Sequence, residues 1–183
     1  DWAGTTVDYG SCAPTEVFNQ VFISAGIHLT REEINRPMGL EKKAHIRELL
    51  SGENGSKQWQ QIYGRMWTEE DVENLFQKFE KTLYEVVASY SRPIEGAAKT
   101  VQTLKAQGLL IGSTTGYHSK IMERVIPLAA EAGYAPDCVV TPDVTGGIGR
   151  PSPFMLFECM RKLNVYPPSH VIKVGDTVAD ILE

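Results

Sequence analysis

The chain has 183 residues, enough for one domain or for a core domain carrying a smaller insert. Hydrophobic residues at 42% and charged residues at 22% are the proportions of a globular protein that buries a real core, which excludes a disordered chain. A formal charge of −5, with no basic cluster longer than Lys42-Lys43, argues against a groove that tracks nucleic-acid phosphates and leaves a small molecule as the expected partner.

Residues 14 to 90 read as consecutive helices. Pro14 suits a first helical turn, and Val17, Phe18, Val21 and Phe22 recur at helical spacing up to a stop at Gly26. Thr30 with Glu33 is a capping-box pattern, soon interrupted by Pro37. A third helix spans Leu40 to Leu50, Gln58 to Tyr63 adds a short one, and Thr68 with Asp71 opens a long one. In that last helix Val72, Leu75, Phe79, Leu83 and Val86 form a single apolar stripe, ending near Pro93. From Pro93 onward helices alternate with short apolar strands. Helices are expected over Ala97 to Gln107, Ser119 to Ala132 and Phe154 to Leu163, and strands over Leu109 to Ser113, Asp137 to Thr141 and Val171 to Val174. Such alternation implies an α/β fold with a doubly wound parallel sheet, whose ligand lies beyond the carboxyl ends of the strands. The chain opens on Asp1-Trp2-Ala3-Gly4 with no strand before it and stops in what reads as a helix start at Ile181-Leu182-Glu183, the ends expected of a fragment.

Cys12, Cys138 and Cys159 are too few and too scattered for a disulfide framework or a Cys-x-x-Cys metal site, so a reducing cytoplasm is expected. No apolar run approaches the ~20 residues of a membrane span, and no membrane partner is expected.

Four polar segments fall at the expected strand ends. In Asp1-x-x-Gly4-Thr5-Thr6-Val7-Asp8, an aspartate backed by a Gly-Thr turn can offer one oxygen to phosphorus and the other to a metal, though the same spacing fits an Asx-turn cap. Thr115-Gly116 can place a hydroxyl and N–H groups on a phosphoryl oxygen, or can cap a helix. Arg150, in Gly149-Arg150-Pro151, is a cation fit to neutralise phosphate, although a lone loop arginine is usually solvated. Gly175-Asp176-x-x-x-Asp180 sets two carboxylates on one helical turn, a like-charge pair that Mg²⁺ resolves. Nucleophile, hydroxyl, cation and acidic pair in this order resemble the haloacid dehalogenase superfamily. That resemblance implies residues 1–11 and 91–183 as its core domain and 12–90 as an inserted helical cap.

Ala3 separates possible members. The superfamily's phosphatases and mutases carry an aspartate there that protonates the leaving oxygen, and a methyl group cannot. On the Leu40 to Leu50 helix, Lys42, His45, Ile46 and Leu49 share a face while Lys43 and Arg47 point aside. A lysine against apolar surface loses basicity and can form a Schiff base, although lysine stems also lie along apolar surface with the head in water.

The strings Asp1-Trp2-Ala3-Gly4-Thr5-Thr6-Val7-Asp8-Tyr9-Gly10, Arg36-Pro37-Met38-Gly39-Leu40-Glu41-Lys42, Gly112-Ser113-Thr114-Thr115-Gly116-Tyr117 and Lys173-Val174-Gly175-Asp176-Thr177 closely resemble the phosphonoacetaldehyde hydrolase (phosphonatase) family over essentially the whole chain. The family often has cysteine directly after Tyr9-Gly10, whereas here Ser11 precedes Cys12. The resemblance implies hydrolysis of phosphonoacetaldehyde to acetaldehyde and phosphate, with Asp1 attacking phosphorus and Lys42 forming an imine with the aldehyde. It further implies Mg²⁺ on Asp1, the Ala3 carbonyl and Asp176 with support from Asp180, phosphoryl contacts from Thr115 and Arg150, and His45 as proton carrier. Met38, Gly39, Gly116 and Tyr117 would line the substrate site, and a homodimer through cap helices would be expected, to which Phe18, Phe22 and Trp59 could contribute if they are not core. The competing readings are a phosphatase or mutase acting on a small phosphate ester, and a catalytically idle fragment.

Overall fold

The computed structural model describes residues 1–183. Five helices follow the opening loop: α1 (Cys12–Ser24), α2 (Arg31–Asn35), α3 (Lys42–Ser51), α4 (Glu53–Tyr63) and α5 (Glu69–Val86), the last running into a 3₁₀ turn at Val87–Tyr90. The expected capping box at Thr30 forms, and Thr68 with Asp71 makes a second. The Thr30 and Thr68 hydroxyls accept the N–H groups of Glu33 and Asp71, whose carboxylates accept the N–H of the threonine in return. The expected stripe of α5 is buried at Val72, Leu75, Phe79 and Leu83, with Val86 at its margin.

Phe18 on α1 is the hinge of this packing. Its ring stacks on Phe79 of α5 at 4.3 Å and on His45 of α3 at 3.9 Å, which locks three helices together through aromatic faces. Phe18, Phe22 and Trp59 are all buried within the main core, so none is a surface available to a second copy.

The remainder alternates as expected: α6 (Ala97–Ala106), β1 (Gly112–Thr114), α7 (Ser119–Glu131), β2 (Cys138–Val140), α8 (Phe154–Leu163) and α9 (Val178–Leu182). β1 and β2 pair in parallel, Gly112 with Cys138 and Thr114 with Val140. The expected third strand is corrected: residues 171–174 make no ladder, since the sheet has only two strands and the opening segment meets them through one bond alone, from the Asp1 amino group to the Val174 carbonyl at 3.3 Å. The two passages between helical unit and sheet unit run side by side, Ile94 N–H donating to the Thr6 carbonyl at 2.8 Å and Val7 bridging Pro93. No helix is long and apolar enough to cross a membrane.

Truncating Phe18 removes a ring packed on both sides. Phe18→Ala is expected to destabilise the fold by about 3–5 kcal/mol, read as a lowered urea midpoint.

Candidate active site

The opening loop is built on one carbonyl. Trp2 is fully buried with its indole edge-on to Tyr134 at 5.0 Å, and its carbonyl accepts the N–H groups of Thr5, Thr6 and Val7 at 3.1, 2.8 and 3.0 Å. Anchored there, the turn presents the Asp1 carboxylate on one side of Trp2 and the Ala3 carbonyl on the other. That carbonyl accepts no hydrogen bond. Gly4 adopts φ +89°, and a Cβ placed on it would stand 2.2 Å from the Asp176 carboxylate, so only glycine lets the fourth motif close over the first. Thr5 adds a hydrogen bond to the same carboxylate at 2.7 Å.

Arg150 is buried and gathers the motifs. Nη1 lies 2.8 Å from Asp1 Oδ1 and 3.2 Å from Asp180 Oδ1, Nε donates to Glu183 at 2.9 Å, and Nη2 donates to the Thr114 hydroxyl at 2.7 Å. Lys173 reaches Asp180 at 2.9 Å and also pairs with Glu183. These two cations hold the Asp180 carboxyl below the usual carboxylate range against the opposing effect of burial, with help from the Thr177 hydroxyl. Thr114, Lys173 and Glu183 were not singled out from the sequence. Alternation along β1 could have flagged Thr114, but nothing in the local pattern marks the other two.

Ligand oxygens of Asp1, Asp176 and Asp180 lie within 4.8 Å of one another. With Glu183 they make four carboxylates against the two cations Arg150 and Lys173, an excess of two negative charges in one cluster. Asp180 Oδ1 is buried, and despite its ion-pair distances it has no well-directed hydrogen bond. An unsatisfied carboxylate oxygen, a free backbone carbonyl and two surplus negative charges form an all-oxygen donor set suited to a hard divalent cation.

Facing this cluster, a partly open cavity of about 20 Å³, close to the space one water needs, is lined by Asp1, Ala3, Ser11, Pro14, Met38, Gly39, Lys42, Thr115, Gly116, Tyr117, Arg150 and Thr177. Nine of the residues selected from the sequence therefore meet in one wall. Ser11 joins them, buried and in the left-handed region at φ 51°, while Cys12 lies outside. Thr115 Oγ1 accepts the Tyr117 N–H at 3.1 Å, which keeps its own proton available for a phosphoryl oxygen. Tyr117 is buried, its hydroxyl has no partner, and burial pushes its pKa well up, so it stays neutral.

Lys42 is the first residue of α3 and is almost wholly buried. Its Nζ sits 5.5 Å from the Tyr117 ring centre and 5.8 Å from that of Phe18, and it pairs with no carboxylate. Burial first, and the charge of Arg150 second, bring its pKa down to about 8. His45 lies outside the cavity wall. Its Nε2 is hydrogen-bonded to the Ile34 carbonyl at 2.8 Å and therefore carries the proton, while Nδ1 has no partner. Burial, with Lys42 as the second cause, holds it well below its usual pKa and so neutral.

Residues 1–182 match the family model described as haloacid dehalogenase-like hydrolase. Phosphonoacetaldehyde hydrolases of Bacillus cereus and Bacillus cytotoxicus are each 45% identical over 183 residues, covering all of this chain and 69% of theirs. A structure described as a phosphonoacetaldehyde hydrolase like protein from Oleispira antarctica superposes with a TM-score of 0.94 at 36% identity, over the whole chain and 66% of its own. CbbY from Rhodobacter sphaeroides, at 18% identity and a TM-score of 0.68 over 91% of this chain and 71% of its own, shares the fold. The chain thus spans about two thirds of the length of the phosphonoacetaldehyde hydrolases it matches.

The contact between the first and fourth motifs is directly testable. Gly4→Ala combines a left-handed backbone with a clash against Asp176 and is expected to lower stability by about 1–3 kcal/mol in chemical denaturation.

Proposed function

This chain belongs to the haloacid dehalogenase-like hydrolase family, and we propose that its site hydrolyses the carbon–phosphorus bond of phosphonoacetaldehyde, giving acetaldehyde and phosphate. One observation carries the reading: an unpaired, buried lysine amine with a pKa of about 8 shares a cavity wall with a carboxylate nucleophile, and no acid stands at Ala3. A phosphate ester needs its leaving oxygen protonated, whereas a carbon leaving group needs an electron sink, and a lysine imine is one.

The neutral Lys42 amine adds to the aldehyde carbon and water departs, leaving a protonated imine. Asp1 attacks phosphorus, the carbon–phosphorus electron pair moves into the imine, and an enamine remains on Lys42 beside an aspartyl-phosphate. Water then attacks that phosphorus and releases phosphate. The enamine is protonated at carbon, and a second water hydrolyses the resulting imine to acetaldehyde and free Lys42. Arg150 and the Thr115 hydroxyl stabilise charge on the phosphoryl oxygens, and Arg150 also fixes the attacking carboxylate. His45, on the same face of α3 as Lys42 and with Nδ1 unpartnered, is assigned as the carrier of the Lys42 proton. Met38, Gly39, Gly116 and Tyr117 bound the organic end of the substrate. Asp1, the Ala3 carbonyl and Asp176 would hold Mg²⁺, with Asp180 supporting them. When bound, that ion offsets the charge of phosphoryl group and carboxylates and so lets an anion attack an anion. A cytoplasmic setting is supported by the three free thiols.

Borohydride added during turnover is expected to trap a covalent adduct on Lys42 and abolish activity; labelling elsewhere, or none with activity intact, overturns the imine. Lys42→Arg keeps the charge but cannot form the imine, so it should lose activity altogether. Below about pH 8 Lys42 is mostly protonated, so log kcat/KM is expected to rise with pH up to about that value. Chelation with EDTA should remove activity and added Mg²⁺ restore it, measured by phosphate release.

A further inference from the structure

The segment that carries Lys42 meets the sheet unit through a residue outside the reacting set. Glu41 is the N-cap of α3, and its carboxylate accepts the N–H groups of Lys43 and Ala44 at 3.0 Å. It thereby decides where α3 begins and how its first residue, Lys42, is aimed. The same carboxylate lies 3.9 Å from Nε2 of His118, the N-cap of α7, which directly follows Thr115-Gly116-Tyr117. Its stem rests on the loop leading to Arg150: a Cβ on Gly149 would stand 3.0 Å from Cβ of Glu41 and 3.5 Å from its Cγ. Glu41 is thus wedged between the helix that carries Lys42 and the two loops that carry Thr115 and Arg150.

His118 faces acid from each element packed against it. Glu41 approaches from α3, Glu80 from α5, and Asp143 from the 3₁₀ turn at Pro142–Thr145, while the Phe76 ring covers it at 5.4 Å. Glu80 has a buried oxygen with no hydrogen-bond partner, and burial raises its pKa. Asp143 accepts the Ser119 N–H at 3.0 Å. The nearby cations are occupied or distant: Lys43 pairs with Glu73 at 2.7 Å, and Lys120 acts on Glu80. Glu41 foremost raises the pKa of His118 against its partial burial, and His118 in turn helps keep Glu41 ionised.

We propose that protonated His118 and Glu41 form a clasp between the helical unit and the sheet unit that positions Lys42 over Asp1, and that the clasp loosens as His118 loses its proton. Glu41 and His118 are positioning residues that act through Lys42, and the kinetic half of the proposal rests on the hydrolase reading. The clasp holds the helix of Lys42 against the loops of Thr115 and Arg150, and so biases the two units towards the arrangement in which these residues share one pocket.

The sign follows from the raised pKa. The clasp is complete at pH values below the ordinary imidazole pKa and is lost as pH climbs through the raised one. His118→Gln and Glu41→Gln remove the charges; the second keeps an oxygen to cap α3. At pH 6.5 each is expected to raise KM for phosphonoacetaldehyde about three- to fivefold relative to wild type. At pH 8.5 the ratio should fall towards one, and the double variant should be no worse than either single. A KM penalty equal at both pH values, or additive singles, overturns the clasp. Hydrogen exchange of the amides of residues 42–46, corrected for intrinsic rates, reads the same arrangement without turnover. It should be faster in His118→Gln at pH 6.5 and match wild type at pH 8.5, whereas unchanged exchange at pH 6.5 overturns the clasp. A wild type that exchanges as expected but releases no phosphate from phosphonoacetaldehyde would sink the hydrolase reading and leave the clasp supported.

Discussion

A single buried guanidinium organises the site. Arg150 is withdrawn from water, and such a charge is tolerable only where fixed partners replace its hydration. It obtains them from residues far apart in the chain: Asp1 from the opening loop, Thr114 from the end of β1, Asp180 from α9 and Glu183 just past that helix. Because the planar fork offers its donors at set angles, each partner is held in orientation as well as in place. The carboxylate that attacks phosphorus in the proposed reaction is thereby aimed by the same cation that would steady the phosphoryl oxygens.

The opposite solution prevails elsewhere in the same cavity wall. Lys42 is buried with no counter-ion, between the aromatic faces of Phe18 and Tyr117, and its charge is disfavoured in consequence. Arg150 adds repulsion to the cost of burial. One cation is thus retained by pairing while another is discouraged by isolation, and the difference matches the work proposed for each: permanent charge for phosphate, a lone pair for an aldehyde. The aromatic stack of His45, Phe18 and Phe79 keeps Lys42 in this apolar setting, so packing of the helical unit and reactivity of the amine are one problem.

Acidic excess completes the electrostatics. Four carboxylates beside two cations repel one another, and in the proposed reaction a divalent cation held by Asp1, Asp176 and the Ala3 carbonyl would offset that repulsion. Gly4 permits this convergence because any side chain there would occupy the space of the Asp176 carboxylate.

Much of this was legible in the residue order. The capping box at Thr30 and the helix start at Thr68 depend on side chains three residues apart, and the face shared by Lys42, His45, Ile46 and Leu49 depends on helical periodicity; these are local and formed as read. The motif residues Asp1, Thr115 and Arg150 were visible because each sits beside a turn or strand end whose chemistry is written in adjacent residues. Residues 171–174 have strand composition yet no strand, because a ladder needs a neighbour and composition cannot supply one. Glu183, Lys173 and Ser11 acquire their places only when distant loops meet, and the partnership of Glu41 with His118 spans two units of the fold. His45 illustrates the division most clearly: its spacing put it on the face of Lys42, but only the tertiary structure tied its Nε2 to the Ile34 carbonyl and left Nδ1 free, because a hydrogen bond between separate helical segments chooses the tautomer.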